Sequence, residues 1–208
     1  MNMEKTTKPF WEDSYKRPGR IDTFGGGQPE KDVVEISGRM NPGLNALDLG
    51  CGEGRNALYL ANKGFNTTAI DISISGIQKL NDLAGKNNFN IEAFVCDMRE
   101  YAFNKAFDLI VCSGCLHLIK REEWQQVLKK MKDATATGGY NLVGIFTDVE
   151  PEPEDQRGLM VGLFKEGELF TYYQDWEIIE SKTFSFEHQH PDGPKHKHSG
   201  NNIVARKK

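Results

Sequence analysis

Leu44-Asn45-Ala46-Leu47-Asp48-Leu49-Gly50-Cys51-Gly52-Glu53-Gly54-Arg55-Asn56 is the stretch that decides the fold. The run from Leu44 to Leu49 is mostly apolar, as suits a strand covered on both faces of a parallel sheet. Gly50, Gly52 and Gly54 then let the backbone bend sharply and approach a ligand with no side chain between. Leu58, Leu60 and Ala61 follow and mark a helix whose unpaired N–H groups point back at the turn. Strand, glycine turn and helix together predict a nucleotide-type crevice.

Outward from this stretch the pattern alternates. Residues 66–71 read as a strand, and Ser73 or Ser75 can cap a helix running to about Lys86. Residues 91–96 and 107–113 read as a third and a fourth strand. Residues 122–134 form a helical pattern with Trp124, Val127, Leu128 and Met131 on one stripe. Gly138-Gly139 is expected to stop that helix before a fifth strand over 140–146. On the other side, residues 9–16 predict a short helix with Trp11 and Tyr15 on one face. The Gly/Pro-rich connector 17–29 is then either a lid over a ligand or a plain loop, and residues 29–39 predict another helix. Beyond Phe146 come an acidic, proline-containing loop over 147–157 and a turn at 164–169 into a helix ending near Trp176. A strand over 176–186, a polar histidine-rich loop over 188–200 and a last strand over 202–206 complete the chain. The fold class is therefore α/β: a doubly wound, mostly parallel, seven-stranded Rossmann-like sheet with an antiparallel C-terminal hairpin.

Composition bounds the function. The 208 residues, 38% hydrophobic and 27% charged, suit one ordinary globular domain. A net charge of −4 argues against nucleic acid as a partner. No apolar run reaches about 18 residues, so no membrane span is expected. Residues 1–8 lack the apolar core of a signal peptide, which leaves the cytoplasm as the expected compartment. Cys112-Ser113-Gly114-Cys115 is formally a C-x-x-C pair, a redox or half-zinc pattern. Redox pairs open a helix, whereas Cys112 ends a strand-like run, so reduced thiols at a strand end are the expectation.

Spacing narrows the ligand. A dinucleotide fingerprint places its third glycine one position later, where this chain has Arg55, and no phosphate-cradling G-x-x-x-x-G-K-[S/T] occurs. Asp48 so close to the turn would repel a pyrophosphate and favour an ammonium group. Asp71 ends the second strand, where a carboxylate can accept from both ribose hydroxyls. Asp97 ends the third, where it can accept from an adenine amino group while the Met98 N–H serves a ring nitrogen. Cys51, Asn56, Ile72 and Ser113 flank these positions and complete the candidate cofactor shell. Trp11 and Tyr15 either offer aromatic faces to a cationic group of the ligand or simply anchor the N-terminal helix.

At these residues the chain resembles the class I S-adenosylmethionine-dependent methyltransferases. Leu47 to Asn56 is similar to their first motif, Ala69-Ile70-Asp71 to their ribose-binding strand end, and Cys96-Asp97-Met98 to their adenine site. Phe107 to Val111 resembles the fourth-strand motif, and Gly138-Gly139-Tyr140 the approach to the fifth. Gly54-Arg55-Asn56, Gly138-Gly139-Tyr140-Asn141-Leu142, Phe164-Lys165-Glu166-Gly167-Glu168-Leu169, Tyr172-Tyr173 and Ala205-Arg206-Lys207-Lys208 resemble the tellurite-resistance (TehB-like) methyltransferases. The resemblance implies a single methyltransferase domain over 1–208: an N-terminal helix and possible lid (1–28), a cofactor-binding core (29–146) and a substrate-side part (147–208). It implies S-adenosyl-L-methionine as cofactor and methyl transfer to a small soft nucleophile, such as a tellurium or selenium oxyanion or a thiol. A different metabolite or a protein side chain as acceptor, or a non-catalytic nucleotide sensor, are the alternatives.

Such a displacement needs positioning and exclusion of water more than a general base. For the acceptor side the resemblance points to the histidine-rich hairpin, through His188 and Lys195. The family suggests a His-Arg pair followed by Arg where this chain has Glu187-His188 and Lys195. Lys is a less directional oxyanion partner, so a thiol stays among the expected acceptors. The competing readings of the hairpin are a solvated basic loop and a metal site; no carboxylate cluster completes the latter, so no metal is expected. His117, just after the fourth strand, either contacts the acceptor or stacks under the adenine edge. A small-molecule acceptor is the expected partner, and the chain is expected to be a monomer or homodimer.

Overall fold

A computed structural model describes residues 10–19, 21, 25–153, 156–189 and 195–208. Strand β1 (Asn45–Leu49) lies inside a seven-stranded sheet with the other strands β2 (Asn66–Asp71), β3 (Ile91–Val95), β4 (Phe107–Ser113), β5 (Thr135–Thr147), β6 (Glu177–Gln189) and β7 (Lys195–Arg206). Their order is β3-β2-β1-β4-β5-β7-β6. The first five pair in parallel, and β7 pairs antiparallel with both β5 and β6. The helices are α1 (Phe10–Tyr15), α2 (Lys31–Ser37), α3 (Arg55–Asn62), α4 (Ile74–Asn87), α5 (Arg121–Ala134) and α6 (Glu168–Thr171).

The alternation of β1 sorts the two layers. Leu47 and Leu49 face the cluster containing Trp124, Val127, Leu128 and Met131 of α5. Ala46 faces the opposite cluster, with Val33 and Ile36 of α2 and Leu60 of α3. Helix α4 begins where expected, since Ser73 Oγ accepts from the Gly76 amide at 3.0 Å. It closes a third cluster through Ile77 and Leu80 against Ala69 of β2.

Three boundaries differ from the sequence reading. Gly138-Gly139 does not separate α5 from β5: the strand starts at Thr135, and the glycines lie in it beside the register shift between Phe107 and Leu109. The expected helix ending near Trp176 is only the four residues of α6, followed by turns. Most of the predicted loop over 188–200 is strand, because β6 runs to Gln189 and β7 starts at Lys195. Ladder pairing of His188 with His196 overrides the polarity of the segment. Residues 190–194, Met1–Pro9 and part of the possible lid (Arg20 and 22–24) lie outside the described residues.

Candidate active site

The crevice is built at the C-terminal ends of β1 and β2. Gly50 and Gly52 have φ of +74° and +56°, a region that costs other residues strain. A Cβ at Gly50 would stand 2.6 Å from Cys115 Sγ, and one at Gly52 would stand 2.5 Å from the Tyr15 hydroxyl. The Gly50 and Cys51 amides both donate to the Ile70 carbonyl at 2.9 Å, so the turn is hung on the neighbouring strand. Asp71, at the end of that strand, accepts from the Gly52 amide at 2.7 Å and from the Ser73 amide at 2.8 Å. Burial raises the Asp71 pKa, and these two hydrogen bonds oppose the rise.

Asp48 is tied into the frame of the crevice. Its side chain is buried, and Oδ2 accepts from the Ala57 amide at 3.0 Å, pinning the first turn of α3. Burial, and then the charge of Glu30, push its pKa to about 7. Asn56 is tied in likewise: its Oδ1 accepts from the Glu30 amide at 3.0 Å, at the start of α2. Cys51 is buried in the turn, and burial pushes its thiol up. Ile72 stands at the rim, 65% exposed.

Helix α1 docks on the turn rather than standing clear of it. The Tyr15 ring is buried, and burial and then Asp71 and Glu53 raise its hydroxyl well above the usual phenol range. Glu12 accepts from the hydroxyls of Ser73 and Ser75, the latter at 2.7 Å, which fastens α1 to the start of α4. Trp11 is half-buried on the same helix. The sequence reading missed Glu12; an acidic residue three before Tyr15 carries no signal until α4 is placed beside it.

Both cations beside the turn are paired. Arg55 bridges to Glu30, and Lys79 Nζ lies 2.5 Å from Glu53 Oε2 with both side chains buried. Asp97 is paired too: Arg99 holds both its oxygens, with NH2 at 2.5 Å from Oδ2, and reaches Glu123 at 2.9 Å. The Arg99 hydrogen bonds hold the Asp97 carboxyl below its ordinary range. Met98 beside it packs toward the turn, its Cε 3.4 Å from where a Gly50 Cβ would be. Ser113 Oγ stands 3.0 Å from the corresponding point at Gly144 on β5.

Around β5 and β7 stands a column of rings. His117, buried after β4, stacks on Phe146 of β5 at 4.4 Å between centroids, and Phe146 stacks on His198 of β7 at 4.5 Å. The Phe146 amide donates to His117 Nδ1 at 3.2 Å, so the ring proton sits on Nε2. Burial, and then His198, lower the His117 pKa to about 3, and the ring is neutral at physiological pH. It lies against Phe146. His196 meets His198 edge-on at 4.8 Å, and its Nε2 lies 3.3 Å from Gln156 Nε2. His196 and His198 thus share the inner face of β7, while Lys195 and Lys197 are exposed. His188 pairs with His196 across the ladder. The sequence reading took the histidine-rich segment as a whole and did not separate His196 and His198, although the His-x-His alternation of a strand signals one shared face. Among the described residues no group of three or more His, Cys, Asp or Glu could hold a metal ion.

The chain matches the family model for tellurite resistance protein TehB over residues 23–204. It is 36% identical over 151 residues to the probable S-adenosyl-L-methionine-dependent methyltransferase TehB of Haemophilus influenzae, an overlap of 72% of this chain and 51% of that protein. The chain therefore spans about half the length of the curated relatives it matches. The crystal structure of TehB from Haemophilus influenzae superposes with a TM-score of 0.78 at 31% identity, covering 95% of this chain and 67% of that one. The N-methyltransferase NodS of Bradyrhizobium japonicum, solved in complex with S-adenosyl-L-homocysteine, shares the fold at a TM-score of 0.64 and 18% identity, covering 85% and 84% of the two chains.

Proposed function

The chain belongs to the TehB tellurite-resistance family, and from that membership we propose that it is an S-adenosyl-L-methionine-dependent methyltransferase for a small soft nucleophile, a chalcogen oxyanion or a thiol. The observation that carries this reading is the joint between Asp71 and the Gly52 amide. It supports a carboxylate at the second strand end, beside a glycine turn at positive φ, with α1 lying across both.

The residues suit that cofactor. Arg55 and Lys79 are neutralised by Glu30 and Glu53, so the turn offers no cation to a pyrophosphate, while Asp71 and Asp97 suit hydroxyl and amino donors. Asp71 would take the ribose hydroxyls, Ile72 would flank the base, and Asp97 with the Met98 amide would read the base edge, in competition with Arg99. The turn from Gly50 to Gly54 would seat the amino-acid tail, with Cys51 and Ser113 beside it and Tyr15 and Trp11 above. Asp48 and Asn56 act behind this layer, holding α3 and α2 in place. When bound, the cofactor supplies an electrophilic methyl group on a sulfonium.

The chain's own part is to position the acceptor and exclude water. His117 and His198 sandwich Phe146 in a polarisable column that would suit a soft acceptor beside it better than a hard one. Lys195 and His188 would gather an anion at the rim, and His117 orients Phe146 through its amide. Binding of S-adenosyl-L-homocysteine by calorimetry, followed by a product assay over tellurite, selenite, small thiols and amines, tests both halves. Turnover is expected with a chalcogen or thiol acceptor; binding with turnover only on amines would overturn the acceptor, and no binding would overturn the cofactor.

A further inference from the structure

Cys112 and Cys115 take no part in the chemistry above. Both are reduced and buried, and their Sγ atoms are in contact at 3.4 Å. Cys112 lies near the end of β4, and Gly114, at φ +74°, folds the chain back so that Cys115 leads into the short 3-10 turn Leu116–Leu118. Cys115 also belongs to the crevice wall. Its Sγ lies 3.4 Å from the Leu49 carbonyl and is the atom that a Cβ at Gly50 would meet at 2.6 Å. One sulfur of the pair thus faces the core and the other supports the glycine turn.

A disulfide needs the sulfurs about 2.05 Å apart, so they must approach by roughly 1.4 Å. That movement is small for a turn containing glycine, but it draws Cys115 off Leu49 and Gly50. We propose that Cys112 and Cys115 form a reversible intramolecular disulfide with a peroxide-class oxidant, and that this bond reshapes the wall of the glycine turn and weakens cofactor binding; the second half rests on the methyltransferase reading. In the reaction two S–H bonds and one O–O bond break, one S–S bond forms, the sulfurs are oxidised, and hydrogen peroxide is reduced to two waters that carry the thiol protons. The contact with Cys112, and burial, hold the Cys115 thiol protonated, so oxidation proceeds through local opening of the turn, and a bound ligand slows it.

The test uses the full chain treated with hydrogen peroxide, alkylated and digested with trypsin. Residues 106–120 form one tryptic peptide carrying both cysteines, whereas Cys51 falls in 40–55 and Cys96 in 87–99. The 106–120 peptide is expected to resist alkylation, to be lighter by about 2 Da and to recover with dithiothreitol. Affinity for S-adenosyl-L-homocysteine is expected to fall about tenfold or more in the oxidised protein and to return on reduction. Cys112→Ala is expected to bind like the reduced wild type and to ignore peroxide. Full alkylation of 106–120 after peroxide, a cross-link to 40–55 instead, or a disulfide with unchanged affinity would each overturn the proposal. If Cys112→Ala does not fold, the wild-type peptide mass and its reversal decide. Reduced wild type that binds no S-adenosyl-L-homocysteine would sink the methyltransferase reading and the coupling with it, while the peptide mass scores the disulfide separately.

Discussion

The glycine crevice and the ring column at the C-terminal hairpin are held mainly by different kinds of contact. Around β1 and β2, charge is fixed by directional bonds: two amides on Asp71, one on Asp48, and carboxylates on Arg55 and Lys79. Around β5 and β7, rings lie face to face and the His117 imidazole is neutral. Directional bonds fix a geometry to within tenths of an ångström, whereas stacked faces tolerate sliding. The first arrangement suits one invariant ligand, and the second suits acceptors that vary in shape.

The largest effect expected from breaking this contrast is at the buried pair of Lys79 and Glu53. Lys79→Met takes the cation from a buried carboxylate and should cost about 3 kcal/mol of stability, read by urea denaturation. A loss below about 1 kcal/mol would mean that Glu53 is carried by other partners. Next is Asp71→Ala, which removes two hydrogen bonds to a charge and with them the tie between turn and strand. Cofactor affinity should fall about 100-fold by calorimetry, with acceptor preference unchanged where turnover can still be read.

The two regions also respond to pH with opposite signs. The Asp48 pKa rises from 3.8 to about 7 on folding, so the folded state holds the extra proton and stability is lost as pH climbs through that window. The His117 pKa falls from 6.5 to about 3, so the unfolded state holds the extra proton and stability is lost as pH drops from 6.5 toward 3. The slopes oppose each other in the wild type. Asp48→Asn should therefore steepen the loss of thermal stability on acidification between roughly pH 6 and 4, and His117→Asn should flatten or reverse it. Identical profiles for the three proteins would show that neither group is shifted. The smallest effect is at the hairpin itself: His198→Ala should cost about 1 kcal/mol of stability, leave cofactor affinity unchanged and alter acceptor KM. A drop in cofactor affinity instead would tie the ring column to the crevice.

The crevice was legible because its signals are local. An apolar run, glycines two apart and a serine cap need only neighbours in the chain, and Asp71 follows from strand length. The pairing of Asp97 with Arg99 is also local, but a carboxylate two residues before a cation is common in any chain and does not by itself mark an ion pair. The hairpin was expected, but its full length was hidden for a different reason. His198, Ser199 and Asn201 are buried although polar, held by stacking on Phe146, by Thr147 and by Thr183, so hydrophobic alternation cannot mark that strand. The long reach from Glu30 to Arg55, and from Lys79 to Glu53, appears only when α2, α3 and α4 are set side by side.

The strand order β5-β7-β6 carries a consequence for truncation. Because β7 lies between β5 and β6, β6 has no partner in the sheet without it. A purified chain cut between residues 189 and 195 leaves β6, with Phe184 and Phe186, and the free edge of β5 to pair with a neighbouring chain. Such a truncated protein should therefore aggregate where the full chain does not, and β7 acts as the bolt that closes both edges.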